Sequence, residues 1–221
     1  MTIPRRLACH GLTTLAVSLA AATAHAGESY GGIGLPGLML GYAHTVDRTW
    51  GLRADVATLG TVTRDFNESG IRYKGTIKAD RLGLFADYFP MGGGFRLTGG
   101  VTFNRMNVKL KSQFDGATSI TVGSQTLTPA ATDYFNAEVA FPRTTPYLGL
   151  GWGHHTQAPG WGVVADAGVM IGKAKVTSST NVVGQFGITQ ADVDAETQKL
   201  RDGVGQVSVI PQLSIGVSYR Y

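Results

Sequence analysis

The sequence predicts an all-β fold: a transmembrane, antiparallel, up-and-down β-barrel of about eight strands, with a short helix in its last long loop. Apolar and polar side chains alternate with a period of two along several stretches, among them residues 95–104. Beyond residues 1–26, no segment approaches about 18 consecutive apolar residues, which excludes a helical membrane protein. In lipid every backbone polar group must be paired internally, so alternating strands can span only as a closed barrel.

The final predicted strand carries the sharpest of these signals. Along residues 213–221 apolar side chains alternate with small or polar ones, and the stretch stops on an aromatic residue. This resembles the C-terminal strand that the insertion machinery of bacterial outer-membrane barrels reads. The resemblance implies Gly216, Tyr219 and Tyr221 as the insertion signal, and it implies the insertion machinery and periplasmic chaperones as partners.

The first 26 residues read as a cleaved secretory signal peptide, which leaves residues 27–221 as one barrel domain. Two arginines precede a short apolar stretch, and Ala24 and Ala26 supply the small residues of a cleavage site. The apolar stretch is shorter than the roughly 20 residues of a transmembrane helix. Cys9 is the only cysteine, so the mature chain is expected to have neither a disulfide nor thiol chemistry.

The barrel strands are predicted from alternation and from the turn residues between them. They are residues 29–34, 37–45, 50–63, 71–89, 95–111, 134–153, 161–176 and 207–221. An even number is expected because both ends of a bacterial single-chain barrel lie in the periplasm. Residues 29–45 are the exception to a clear prediction, since they fit either two strands or one bent strand.

The lengths of the connections predict the orientation of the barrel in the membrane. The turns at 46–49, 90–94 and 154–160 are short, whereas the connections near 64–71, 111–133 and 176–206 are mostly longer. Short turns are typical of the periplasmic side and long loops of the outer side. The three short turns are therefore placed in the periplasm.

Two of the long loops are predicted to contain regular structure. Thr189 and Asp192 match a helix capping box with Asp in place of Glu, and Gly203 is a plausible stop, which predicts a mostly polar surface helix between them. In the loop before strand 134–153, residues 120–122 and 126–128 are predicted to extend a hairpin above the membrane.

Aromatic side chains cluster near the predicted strand ends. Such rings favour the membrane–water interface, where they form girdles. The predicted girdle consists of Tyr42, Trp50, Tyr88, Trp152 and Trp161. Outer-membrane lipids are accordingly predicted as the surroundings of the barrel.

Charged side chains alternate into the predicted lumen with both signs represented. The predicted lumen ion-pair network is Arg53, Asp55, Asp87, Arg96, Asp166 and Arg220, with Arg81 as a further candidate. Buried charges must be paired because an isolated one costs several kcal/mol. An eight-stranded barrel is only just wide enough for side chains to fill it, so the network is expected to plug the lumen. A narrow, porin-like conduit for ions or small solutes remains the alternative.

Residues 147–153, 161–168 and 211–221 together resemble small outer-membrane barrels of the OmpA/OmpW type over nearly the whole mature chain. The resemblance implies a bacterial outer-membrane location and the barrel fold, but it specifies function poorly. OmpW-type resemblance also implies the passage of ions or small, apolar molecules as an alternative role.

No catalytic residue, metal site or cofactor is predicted, and the protein is not expected to be an enzyme. His154 and His155 are adjacent, and neighbouring residues of a strand point to opposite faces, so they form neither a paired base nor a ligand set. A lipid A-modifying enzyme is kept as a remote alternative. Without Arg5 and Arg6 of the predicted signal peptide, the 19 Lys and Arg become 17 against 15 Asp and Glu, and the resulting charge of +2 is too mild to imply nucleic acid. No surface partner can be named.

Overall fold

The computed structural model describes residues 27–68, 71–122, 125–155, 158–185, 187–203 and 208–221. The predicted signal peptide, residues 1–26, lies outside the described residues. The elements that follow account for most of the described chain, and all but one of them are antiparallel strands.

The strands are numbered in chain order. They are β1 (Gly27–Gly34), β2 (Gly37–Thr45), β3 (Trp50–Glu68), β4 (Ile71–Tyr88), β5 (Phe95–Gln113), β6 (Ile120–Val122), β7 (Gln125–Leu127), β8 (Phe135–Ala140), β9 (Thr144–Trp152), β10 (Gly160–Ile171), β11 (Lys175–Thr180) and β12 (Val209–Arg220). The helix α1 (Gln190–Gly203) precedes β12.

Eight of these strands close into a ring. Their order is β1-β2-β3-β4-β5-β9-β10-β12, and pairing of β12 with β1 closes the barrel. All pairs are antiparallel, so the predicted up-and-down barrel of eight strands is confirmed. The ambiguity over residues 29–45 is resolved as two strands, which pair from Gly27↔His44 to Gly34↔Gly37.

The side chains of the ring divide into two faces, as the alternation predicts. Along β3, residues 51–57 alternate strictly between buried and exposed, with Arg53 and Asp55 inside and Leu52 and Val56 outside. The outward side chains are apolar and exposed; Leu148, for example, is 57% exposed. A continuous apolar outer wall around a polar interior is the arrangement of a membrane-spanning barrel.

One wall of the barrel extends beyond the ring. β3 and β4 stay paired as far as Glu68↔Ile71, and β5 accompanies β4 to Gln113. The prediction of a loop from residue 64 onward is therefore wrong for residues 64–68, because β3 continues to Glu68 before β4 begins at Ile71. This part of β3 carries polar residues such as Thr63 and Asp65, so the apolar alternation that identifies a lipid-facing strand is absent there.

Two predicted strands are each interrupted. Residues 134–153 divide into β8 and β9, and residues 161–176 divide into β10 and the start of β11. At the first break the pairing with β5 is kept, because β8 and β9 both pair with it. At the second break the partner changes, because β10 pairs with β12 whereas β11 pairs with β8. The upper parts of β3, β4, β5, β8 and β11 thus form an open sheet, here called the outer extension.

The helix and the small hairpin pack on this outer extension. Thr189 and Asp192 form the predicted capping box, with the backbone N–H of each residue donating to the other's side chain at 2.9 and 3.3 Å. The predicted hairpin is also present, as β6 and β7. Leu127 and Val193 belong to a buried apolar cluster that joins the two elements. No helix in the described parts of the chain is both long and apolar enough to cross a membrane.

Candidate functional site

Four charged side chains form a closed square in the middle of the lumen. Arg53 Nε lies 2.8 Å from Asp87 Oδ2, and Arg53 Nη2 lies 3.1 Å from Asp166 Oδ1. Arg96 contacts the same two carboxylates, at 2.7 Å to Asp166 Oδ1 and 3.5 Å to Asp87 Oδ1. Each arginine therefore neutralises both aspartates, and the four charges balance within a region closed to solvent.

A second ion pair lies beside the square. Arg81 Nη2 contacts Asp55 Oδ1 at 2.8 Å, and Arg81 Nη1 donates to Gln212 Oε1 at 3.0 Å. The hydroxyl of Tyr30 donates to the other Asp55 oxygen at 3.2 Å. The Phe85 ring lies between the two groups of charges, with the guanidinium carbons of Arg53 and Arg81 at 4.9 and 5.7 Å from its centroid. Arg81 therefore belongs to the network.

Toward the end of the lumen that faces the outer extension, the buried polar groups are uncharged. Thr102 and Thr145 share a hydrogen bond of 2.7 Å between their hydroxyls, and both side chains are fully buried. Asn104 Nδ2 donates to the Thr145 hydroxyl at 2.9 Å. Met170 fills the space beside Thr102, so the lumen remains packed with side chains above the charged region.

The end of the lumen beside the short turns holds a third polar group that sequence reasoning missed. His154 Nδ1 lies 3.1 Å from Glu28 Oε1, and both side chains are buried. His154 sits in the turn after β9 with a φ of 65°, in the left-handed region. Burial lowers the pKa of His154, and the nearby arginines add to that effect while Glu28 opposes it.

Arg220 lies apart from the aspartates with which it was grouped. Its Nη2 donates to Thr45 Oγ1 at 2.9 Å, and among the described residues it forms no salt bridge. In the strand register Arg220 lies opposite Glu28, at the end of the barrel that carries the short turns. The expectation that it pairs with a lumen aspartate is therefore wrong, because the aspartates lie farther up the barrel.

Together these side chains fill the middle of the lumen. A cavity between Met39, Arg81 and Gln212 has a volume of about 10 Å³, which is at most the space of a single water molecule. Arg96, the largest fully buried side chain among the described residues, lies within the charged square. Among the described residues of the strands that form the ring, the charged side chains enclosed in the lumen are Arg53, Arg81, Arg96, Arg220, Glu28, Asp55, Asp87 and Asp166.

The aromatic residues predicted as a girdle all lie on the outer wall near the short turns. Trp50 and Tyr88 are neighbours with ring centroids 5.0 Å apart, and Trp161 packs on Tyr219 at 5.1 Å. The exposed members are Tyr42, Trp50, Tyr88, Trp152 and Trp161. In the predicted orientation, they form a single belt at the periplasmic rim.

The residues named as an insertion signal lie on both faces of β12. Gly216 faces inward and pairs with Gly32 of β1, whereas Tyr219 faces outward. The Tyr221 hydroxyl lies 2.9 Å from Ser29 Oγ, which joins the end of the chain to the first strand. In the described residues, no group of three or more His, Cys, Asp or Glu side chains is arranged to hold a metal ion.

Comparison with solved structures identifies the fold. The chain is similar to CarO of Acinetobacter baumannii, with 18% identity and a TM-score of 0.55 over 88% of this chain and 97% of CarO. CarO2 of the same organism gives 16% identity and a TM-score of 0.59 over 89% and 99% of the two chains. A major outer membrane protein of Thermus thermophilus gives 14% and 0.49, over 90% and 100%.

No family model and no curated protein sequence matches the chain. At these identities the structural likeness shows the fold alone. The chain accordingly has the fold of a small bacterial outer-membrane β-barrel.

Proposed function

We propose that this protein is an integral outer-membrane protein whose barrel is a closed structural scaffold, with exposed outer loops available for surface contacts. The observation that carries the proposal is the packed lumen, where the charged square and the residues around it leave a cavity of only about 10 Å³. Opening a path through it would separate buried ion pairs, and breaking one typically costs about 3–5 kcal/mol.

The outer extension supports the second half of the proposal. It carries a cavity of about 360 Å³ between the inner face of the sheet and α1, lined mainly by apolar side chains such as Phe66, Leu110 and Leu200. Phe66 is 45% exposed, although water surrounds this part of the molecule in the proposed orientation. Exposed apolar surface outside the membrane is typical of contact sites.

Single-channel recording tests the closed lumen directly. Residues 27–221 would be refolded into planar bilayers, with folding checked first by a heat-dependent gel shift. We expect folded but silent barrels. Steady, discrete openings of the parent protein would contradict the proposal and favour the alternative of a narrow conduit for ions or small solutes.

A variant of the network sharpens that experiment. Asp87→Asn leaves Arg53 and Arg96 with one carboxylate fewer, so it is expected to destabilise the barrel or raise its conductance. Lys199→Gln removes an exposed charge on α1 and should do neither. If the Asp87→Asn variant is as stable as the parent and also shows no channel openings, the network does not seal the lumen.

An enzymatic role is separated by a different measurement. A lipid A-modifying enzyme would change the mass of lipid A in cells that express the protein, and mass spectrometry of extracted lipid A detects such a change. Under the structural proposal the spectrum stays the same. A reproducible mass shift would contradict the structural proposal and favour a lipid A-modifying enzyme.

The location and assembly of the barrel belong to the same proposal. Export by a cleaved signal peptide and insertion by the outer-membrane machinery predict that the protein fractionates with outer membranes. Tyr221→Ala removes the last aromatic side chain of the proposed insertion signal and is expected to slow assembly in cells. Normal assembly of this variant would contradict the assignment of Tyr221.

A further inference from the structure

The apolar outer wall ends at the same height on three adjacent strands. The regular rows of outward apolar side chains on β3, β4 and β5 end with Val56, Leu82 and Phe103, which are neighbours in the strand register. Leu59, which is also exposed, lies beyond them in the register irregularity between Thr58 and Gly60. The next outward row is polar and consists of Thr58, Asp80 and Arg105. This change of chemistry places the outer surface of the membrane between the two rows.

The length of β3 agrees with that position. Trp50 lies in the aromatic belt, and the step from Trp50 to Thr58 covers about 27 Å along a strand at roughly 3.4 Å per residue. With a strand tilt of about 40° this becomes about 21 Å of membrane depth, close to the apolar band of about 25 Å that such barrels present to lipid. The polar row therefore lies at the level of the lipid headgroups.

A groove of about 980 Å³ lies on the outer face of the barrel at this boundary. Its lower part is lined by Val56, Leu82 and Phe103, which are 42–53% exposed. Its upper part is lined by Arg105 and Arg143. The backbone N–H of Asn104 donates to the carbonyl of Arg143 at 2.7 Å, so the two arginines come from directly neighbouring segments.

Both arginines are free to bind an anion. Their side chains are exposed, and neither makes a hydrogen bond or a salt bridge within the part of the chain that the structure describes. Asp80 lies opposite Arg105 in the register, but it accepts a hydrogen bond from Thr58 at 2.6 Å and pairs with Lys78 at 3.8 Å instead. The one carboxylate in the groove is thus already occupied.

We propose that this groove, here called the lipid groove, binds a phosphorylated lipid of the outer leaflet. The acyl chains would lie against the apolar lower part, and a headgroup phosphate would accept hydrogen bonds from Arg105 and Arg143. Guanidinium groups bind phosphate oxygens in a bidentate fashion, and the charges are complementary. The site is continuous with the lipid-facing wall, so a lipid is the ligand that reaches both of its parts. The proposal rests on the proposed membrane location.

The test is native mass spectrometry of the refolded barrel, released from detergent after incubation with bisphosphorylated lipid A or with its dephosphorylated form. Arg105→Gln with Arg143→Gln removes both cations of the groove. Arg48→Gln with Lys199→Gln removes the same charge at the periplasmic turn and on α1, and serves as the matched control. All proteins are first shown to fold by the heat-dependent gel shift.

We expect the parent and the control to retain the bisphosphorylated lipid and the groove variant to retain about tenfold less, the ratio that corresponds to about 1.4 kcal/mol. Retention by the groove variant within twofold of the control would overturn the proposal. So would equal retention of the dephosphorylated lipid, or equal competition by glucosamine phosphate, which has no acyl chain. The lipid measurement does not depend on whether the barrel conducts ions. If the barrel conducts but retains lipids as expected, the proposal of a closed lumen is wrong and the lipid groove is supported.

Discussion

Gly151 lies directly beneath the guanidinium of Arg96. The two residues are opposite each other in the β5–β9 register, and Gly151 is in turn opposite Asp166 in the β9–β10 register. A Cβ atom at position 151 would lie 2.6 Å from Arg96 Cζ and 2.8 Å from its Nε. The Arg96 side chain therefore passes over β9 to reach Asp166 on β10. It can do so because Gly151, the β9 residue beneath it, has no side chain.

Gly151→Ala is expected to lower the stability of the barrel by about 1–3 kcal/mol. The added methyl group would collide with the buried guanidinium and push it from the carboxylate of Asp166, and overpacking of this kind costs energy in a rigid interior. Urea unfolding of the refolded barrel, followed by tryptophan fluorescence, measures the change.

Gly99→Ala is the matched control for that substitution. Gly99 is also a strand glycine of the ring, but a Cβ atom there would meet nothing within 4 Å. This variant should unfold within about 0.5 kcal/mol of the parent. Equal effects of the two substitutions would mean that the contact with Arg96 is unimportant.

Arg53 and Asp87 are expected to be strongly coupled. Arg53→Met or Asp87→Asn alone leaves a buried charge with too few partners and should cost about 3–5 kcal/mol. The double variant removes one charge of each sign, so its cost should fall well below the sum of the single costs. A double-mutant cycle in urea measures the coupling, and simple additivity would refute it.

The exposed pair Lys199 and Glu196 provides the comparison for this cycle. Its atoms lie 3.0 Å apart, close to the 2.8 Å of Arg53 and Asp87, but its lysine is largely exposed to water. Exposed pairs contribute at most about 1 kcal/mol. The same cycle on Lys199→Gln and Glu196→Gln should therefore give a coupling several times smaller.

Tyr30→Phe removes one hydrogen bond and leaves the ring in place. The hydroxyl donates to Asp55 Oδ2, so its loss should cost about 1–2 kcal/mol. Tyr42→Phe is the control, because the Tyr42 hydroxyl lies on the outer wall, and it should change the unfolding free energy by less than about 0.5 kcal/mol. If Tyr30→Phe behaves like Tyr42→Phe, Asp55 is held by Arg81 alone.

Acidification should destabilise the barrel through His154. Its folded-state pKa lies below the ordinary value of 6.5, so the unfolded chain binds the proton more readily. The stability that comes from a neutral His154 is fully present above about pH 6.5 and decreases as the pH falls from there toward the lowered pKa.

His154→Asn tests this, since asparagine tolerates the left-handed backbone at this position. Urea unfolding would be measured at about pH 7.5 and at about pH 5.5. The parent should lose more stability than the variant between the two values. A smaller loss in the parent would mean that the attraction of Glu28 for the protonated ring outweighs its burial.

The membrane part of the fold is readable from the sequence because one physical constraint acts on every residue of a spanning strand. Lipid lies on one side of the strand and a narrow lumen on the other. The polar Arg96 therefore faces the lumen, and the apolar Leu97 next to it faces outward. Beyond the membrane that constraint ends. Thr63 and Asp65 of β3 face water, and the strand continues without the alternation that would identify it.

The pairing inside the lumen is not readable from the sequence for a different reason. Alternation gives the direction of a side chain, but its partner depends on the height at which each strand enters the ring. Arg220 points inward as predicted, but it lies too near the end with the short turns to meet an aspartate. The sequence predicts a turn at His154. The neighbouring residues do not indicate its contact with the buried carboxylate of Glu28, because Glu28 is distant in the chain.

The unequal lengths of the strands give the molecule a tall side and a short side. β1 and β2 have 8 and 9 residues, about the minimum for crossing a bilayer at this tilt, whereas β3 has 19. A two-residue deletion in the upper part of β3 and its partner would only shorten the structure in water. The same deletion in β1 and β2 would leave that side too short for the hydrocarbon layer, which would have to thin locally to match it. Tolerance of length changes should therefore differ sharply around the circumference of one small barrel.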